Sequence, residues 1–113
     1  MITTKNYNVY LVMYHYVREI KKSKYPNLKG LEFIDFKKQI DFFCKNFNIL
    51  SKSDLIGIIH TKKIPKKPSI FLTFDDGYID HYKYVFPYLS KKKITASFYP
   101  STKAIENKIV LDI

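Results

Sequence analysis

Tryptophan is missing from this 113-residue chain, and cysteine, arginine and glycine are scarce. One cysteine, Cys44, excludes an intrachain disulfide framework and any multi-cysteine zinc site. It falls in an apolar helical pattern, so it is expected as a core thiol. One arginine, Arg18, among 20 Lys and Arg argues against specific phosphate or base recognition, which leans on arginine forks. Three glycines, Gly30, Gly57 and Gly77, make no phosphate-cradling loop. No run approaches the ~18 apolar residues of a membrane span. Met1 to Tyr16 lacks the basic, apolar and small-residue regions of a signal peptide.

What is present suits one domain with a core. Hydrophobic residues make up 46 % of the chain, with ten Tyr and nine Phe. The net charge of +10 is carried almost wholly by lysine. Such a surface attracts anionic polymers in general, and no specific nucleic acid is expected.

Helical and strand patterns alternate along the chain. Tyr7 to Tyr14 reads as a strand, and Val17 to Gly30 as a basic loop. Phe33, Phe36, Ile40, Phe43 and Phe47 recur at spacings of three and four, which predicts an amphipathic helix. Asn48 to Leu50 is a short strand candidate. Ser51 or Ser53 is placed to cap a second helix through Leu55, Ile56, Ile58 and Ile59. Thr61 to Pro68 is a connector. Ser69 to Phe74 is a buried-strand pattern. A helix over about Ile79 to Lys92 has Asp80 as cap candidate, and Pro87 predicts a kink or a later start. Thr95 to Tyr99 is a further strand, and Thr102 to Ile113 is left unassigned. Strands alternating with helices predict parallel pairing through crossovers, with chemistry at the C-terminal strand ends.

The chemistry-bearing run is Leu72-Thr73-Phe74-Asp75-Asp76-Gly77-Tyr78. Two adjacent carboxylates ending a buried strand suggest a metal site, an acid–base pair, or both. The plainer reading is a polar turn, since Asp-Gly is a common turn dipeptide. Gly77 permits a sharp turn that would let the two Asp divide their tasks. His15, after the first strand, would lie at the same rim.

Leu72 to Tyr78 resembles the first motif of the polysaccharide deacetylases, the NodB-like carbohydrate esterases. Val12-Met13-Tyr14-His15-Tyr16-Val17 is similar to the Tyr-His opening of one branch. Phe86-Pro87-Tyr88-Leu89 with Ile94-Thr95-Ala96-Ser97-Phe98-Tyr99 is similar to the family's proline-bearing helix and next strand. The resemblance runs from about Tyr10 to Ile105. It implies a distorted (β/α) barrel of parallel strands, of which residues 1–113 would be the N-terminal portion of a single domain. The fold class expected is therefore α/β, a partial barrel, because a closed one needs about 200 residues.

The resemblance also implies roles. Asp75 matches the catalytic base and Asp76 the carboxylate ligand of a divalent metal, zinc in expectation. His15 matches the general acid. Tyr14 and Tyr78 are expected to contact the sugar. The family's other two metal ligands come from a His-x-x-x-His motif, and His15, His60 and His81 have no such spacing. His60 is read as a surface residue and His81 as structural or rim-lining. The metal site is thus expected to be incomplete and the chain inactive alone. The implied substrate is an N-acetylated polysaccharide such as poly-N-acetylglucosamine, peptidoglycan or a chitin oligomer. A cell-envelope or extracellular setting goes with the family. An open barrel edge would favour self-association or a complementary C-terminal fragment.

Three other readings compete. A Mg²⁺-dependent phosphoryl hydrolase needs more carboxylates and a phosphate cradle. A glycosidase needs its carboxylates on either side of the scissile bond. A non-catalytic carbohydrate- or polyanion-binding remnant would use Tyr14, Tyr16, Tyr78, Tyr82 and Tyr99 as stacking surfaces, although most tyrosines pack at core edges.

Overall fold

The computed structural model describes residues 8–107. Its centre is a single strand, Ser69–Asp76, and everything else is arranged around that strand. In chain order the elements are β1 (Val9–Tyr14), β2 (Val17–Arg18), β3 (Leu31–Glu32), α1 (Phe33–Asn46), β4 (Asn48–Ile49), α2 (Lys52–Thr61), β5 (Ser69–Asp76), a π-helical turn (His81–Val85), α3 (Phe86–Lys91), β6 (Ser97–Pro100) and α4 (Thr102–Asn107).

All pairings are parallel. β1 runs along one edge of β5 from Val9 beside Ser69 to Tyr14 beside Phe74. β4 pairs with Ser69 and Ile70, and β6 with Thr73 to Asp76. Since β1 also pairs with Ser69 and Phe74, β4 and β6 must share the opposite edge, end to end. The chain is therefore α/β with a parallel sheet. β2 and β3 form a separate two-stranded pair.

Burial follows the pleat. Ile70, Leu72 and Phe74 project from one face of β5 and join Tyr14, Val17, Phe36, Ile40, Val85 and Leu89 in the core. Each such side chain removed from water contributes about 1.5–3 kcal/mol. α1 supplies Phe36 and Ile40, one turn apart on its inner stripe. The other sheet face is barer on β1, where Leu11 is 67 % and Met13 61 % exposed.

Several expectations need correction. Cys44 is exposed rather than a core thiol. Eight residues on from Phe36, it lies roughly 80° round the helix from that core position. Val17–Arg18 and Leu31–Glu32 form a short parallel pair inside and beside the segment read as loop. Asp80 caps nothing with its side chain. Past it the chain makes one wide π-helical turn, and α3 starts late, at Phe86, with Pro87 in its first turn. Pro87 has no N–H to continue the ladder of the π-helical turn, which fits a change of helix type at this point. Ser51, not Ser53, caps α2, in a reciprocal capping box with Asp54. Tyr7 and residues 108–113 lie outside the described residues.

Candidate active site

β1 and β5 are parallel and in register, so their C-terminal ends reach the same rim. The residues that follow Tyr14 and Phe74 therefore meet. His15 Nε2 lies 3.9 Å from Asp75 Oδ2 and 3.8 Å from Asp76 Oδ2. All three side chains are partly exposed. A hydroxyl bond from Thr73 to the Val12 carbonyl, 3.0 Å, ties the two strands just before the site.

The backbone separates the two carboxylates. Asp76 has φ +74° and Gly77 has φ +65°. Successive side chains on a strand point to opposite faces, and the left-handed turn at Asp76 breaks that rule at its last residue. A non-glycine residue held there costs about 1–3 kcal/mol, and such outliers concentrate at functional sites. Sequence reasoning placed the sharp turn at Gly77; the structure starts it one residue earlier. Gly77 is also required for space, since a Cβ there would stand 2.8 Å from Pro100 Cβ.

Tyr78 turns back on the site. Its hydroxyl donates to Asp76 Oδ2 at 3.2 Å. Burial, then the neighbouring Tyr16 and Asp76, push its pKa well up, so it remains a donor at neutral pH. Its ring stacks on Tyr16, centroids 3.9 Å apart, and Arg18 sits over the far ring at 4.9 Å. One tyrosine thus orients a carboxylate.

Tyr14 does not reach the rim. It is 6 % exposed, stacked on Phe74 and edge-on to Phe36. Its hydroxyl donates to Gln39 Oε1 at 2.8 Å, and burial pushes its pKa up to about 12. A tyrosine ending a parallel strand in register with Phe74 faces the helix layer, so the expected sugar contact is withdrawn. His60 is exposed on the last turn of α2. His81 is buried beneath the site, its ring against Phe74 and Phe98.

Carboxylate and imidazole donors suit a divalent cation in kind. They fall short in number: among the described residues no three His, Cys, Asp or Glu side chains form a group able to hold a metal ion. Asp76 with His15 across from it comes nearest to a partial ligand set.

Comparison with known proteins reads the same segment. The model of the family described as polysaccharide deacetylase matches residues 62–111, which include Asp75, Asp76, Gly77 and Tyr78. Over that segment the chain is similar to the polysaccharide deacetylases. His15 lies outside that match. The Streptococcus pyogenes deacetylase PplD, in complex with acetate, aligns over 93 % of this chain and 47 % of its own, with 22 % identity and TM-score 0.74. A de-N-acetylase from Aggregatibacter actinomycetemcomitans aligns over 93 % of this chain and 42 % of its own, with 20 % identity and TM-score 0.72. IcaB from Ammonifex degensii aligns over 80 % and 37 %, with 24 % identity and TM-score 0.63. At such identities these likenesses establish the fold. The chain spans less than half the length of each. No curated protein sequence matches it.

Proposed function

We propose that this chain supplies the carboxylate side of a metal-dependent deacetylase site acting on an N-acetylated polysaccharide. The observation that carries the reading is the meeting of His15, Asp75 and Asp76 at the ends of two parallel strands. Residues 1–113 would be the N-terminal portion of one domain, an incomplete distorted barrel. The exposed Leu11 and Met13 then belong to a face that further strands cover. Substrates in keeping with this reading are poly-N-acetylglucosamine, peptidoglycan and chitin oligomers. Acetate, the ligand named with PplD, is the acyl product such a reaction releases.

A divalent cation, zinc by preference, would polarise the acetyl carbonyl and lower the pKa of a water towards ~7 once further ligands completed its site. Asp76 would hold it, with Tyr78 fixing the carboxylate through Oδ2. Asp75 takes the proton of the attacking water. The carbon–nitrogen bond breaks, and His15 gives a proton to the departing amine. Tyr78, partly exposed and bonded to Asp76, would lie beside the sugar ring, with Tyr16 stacked behind it.

Because one carboxylate and one imidazole make a weak zinc site, the isolated chain binds zinc poorly and releases no acetate from chitin oligomers. Isothermal titration with Zn²⁺ at neutral pH tests this. Sub-micromolar affinity that is lost in D76N would show a complete site within the 113 residues. Acetate release by the isolated chain, abolished by D75N, would show the same by turnover. A second reading is favoured by the charge of +10: a non-catalytic remnant that binds carbohydrate or polyanion. Salt-dependent retention on an anionic wall polymer, unchanged in D75N, would select it.

A further inference from the structure

The side chain of His15 is not held by its own contacts. At 3.8 and 3.9 Å its nearest carboxylate oxygens are beyond hydrogen-bond length. Its backbone is held, and by two consecutive residues. His81 is 5 % exposed and meets the His15 carbonyl through Nε2 at 2.8 Å. A carbonyl only accepts, so Nε2 donates to it, and Nδ1 is buried and unpartnered among the described residues. Asp80 is 1 % exposed and binds the next residues along. Its Oδ2 accepts from the Val17 amide at 3.1 Å and from Arg18 Nε at 2.9 Å. Its Oδ1 pairs with an Arg18 terminal nitrogen at 2.7 Å.

We propose that Asp80, Arg18 and His81 are positioning residues that set His15 against the two carboxylates. The inference rests on the proposed role of His15. A buried carboxylate is costly unless paired and hydrogen-bonded, and here both oxygens are engaged. The chain spends its one arginine on this pair. A lysine would give a point charge and not the two-pronged fork that fixes orientation.

The same pair reaches the second side of the site. The Arg18 guanidinium caps Tyr16, Tyr16 stacks on Tyr78, and Tyr78 donates to Asp76. One buried ion pair therefore sets both His15, through backbone, and Asp76, through stacked rings. Asp80 follows Asp76 by four residues, across the left-handed turn. The two strand ends are locked to each other and not merely adjacent.

The test uses NMR of the 113-residue chain at one neutral pH. In D80N the Val17 amide exchanges about tenfold faster or more, the loss of one bond to a buried charged acceptor. The Leu72 and Phe74 amides of β5 keep their protection. A mutant cycle then reads His15 directly. In the otherwise unaltered chain, D76N shifts the His15 ring nitrogen resonances; in the D80N background that response shrinks. R18K retains a cation and loses the fork, so it gives intermediate values on both readouts. It decides the question if D80N does not fold. Unchanged Val17 exchange together with an unchanged His15 response would overturn the positioning role. If D76N leaves the His15 ring signals unmoved in the otherwise unaltered chain, the functional reading itself falls, and the positioning role with it. A response that survives both D80N and R18K removes only the positioning role.

Discussion

Gly77 and Gly57 should respond to alanine with opposite signs, and the reasons can be separated. At Gly77 the backbone has φ +65°, where an L side chain costs roughly 1–2 kcal/mol. An added Cβ would also stand 2.8 Å from Pro100 Cβ and 3.0 Å from Pro100 Cα. Backbone and a rigid ring cannot swing aside, so overpacking adds about 1–3 kcal/mol. Gly77→Ala is thus expected to destabilise by about 2–5 kcal/mol. Gly57 lies inside α2, and an added Cβ would meet nothing within 4 Å. There alanine relieves the entropic cost of helical glycine, a gain of about 0.5–1 kcal/mol. Urea unfolding followed by circular dichroism reads both. With a slope of about 2 kcal/mol per molar, Gly77→Ala should lower the midpoint by roughly 1–2.5 M. Gly57→Ala should raise it by a few tenths. A Gly77→Ala chain with an unmoved midpoint would refute both the turn at Asp76–Gly77 and its closeness to β6.

Asp76→Asn should leave stability unchanged or raise it by up to about 1 kcal/mol, because asparagine tolerates the φ of +74° and still accepts from Tyr78; a larger loss in urea midpoint would show a structural pairing at Asp76. The Ser51 cap holds the Asp54 carboxyl below its ordinary 3.8, so its stabilisation is present above that value and fades as pH falls through the folded pKa. Asp54→Asn should therefore lower the midpoint at neutral pH, and the gap should narrow as acid protonates the Asp54 carboxylate. Tyr14, with its pKa raised from 10.0 to about 12, has the opposite sign: its stabilisation is complete below the unfolded value and is lost as pH climbs through the folded one. Tyr14→Phe should flatten the alkaline decline measured from about pH 9 to 11, and an unchanged decline would show that this hydroxyl is not buried.

Much of the fold was legible because it depends on local pattern. The phenylalanine and isoleucine spacing marks α1, and the uninterrupted apolar run marks β5. Ser51 and Asp54 mark the start of α2. Two-residue strands such as Val17–Arg18 have no pattern of their own, since pairing with Leu31–Glu32 alone makes them strands. Cys44 shows the limit of helical spacing. A residue at the edge of an apolar stripe is buried only where a neighbour covers it, and sequence does not show where coverage stops.

The site divides in the same way. Asp75, Asp76 and Gly77 are adjacent in the chain, so their chemistry and their turn could be read from it directly. His15 was placed beside them by the rule that parallel strands end at one rim. The holding residues could not be read. In the sequence Arg18 stands out only as the one arginine and Asp80 as a cap candidate, because 62 residues separate them and only the fold brings them to 2.7 Å. The resemblance implied a sugar contact for Tyr14; in-register pairing with Phe74 turned it into the core. The alternating elements, the carboxylate pair and a sharp turn at Gly77 follow from sequence alone, because they rest on backbone preference and local hydrophobic period. Tertiary structure alone decided which polar groups are buried together. A carboxylate such as Asp80 is tolerable in the interior only when distant donors arrive at both its oxygens, and that is a property of the folded chain as a whole.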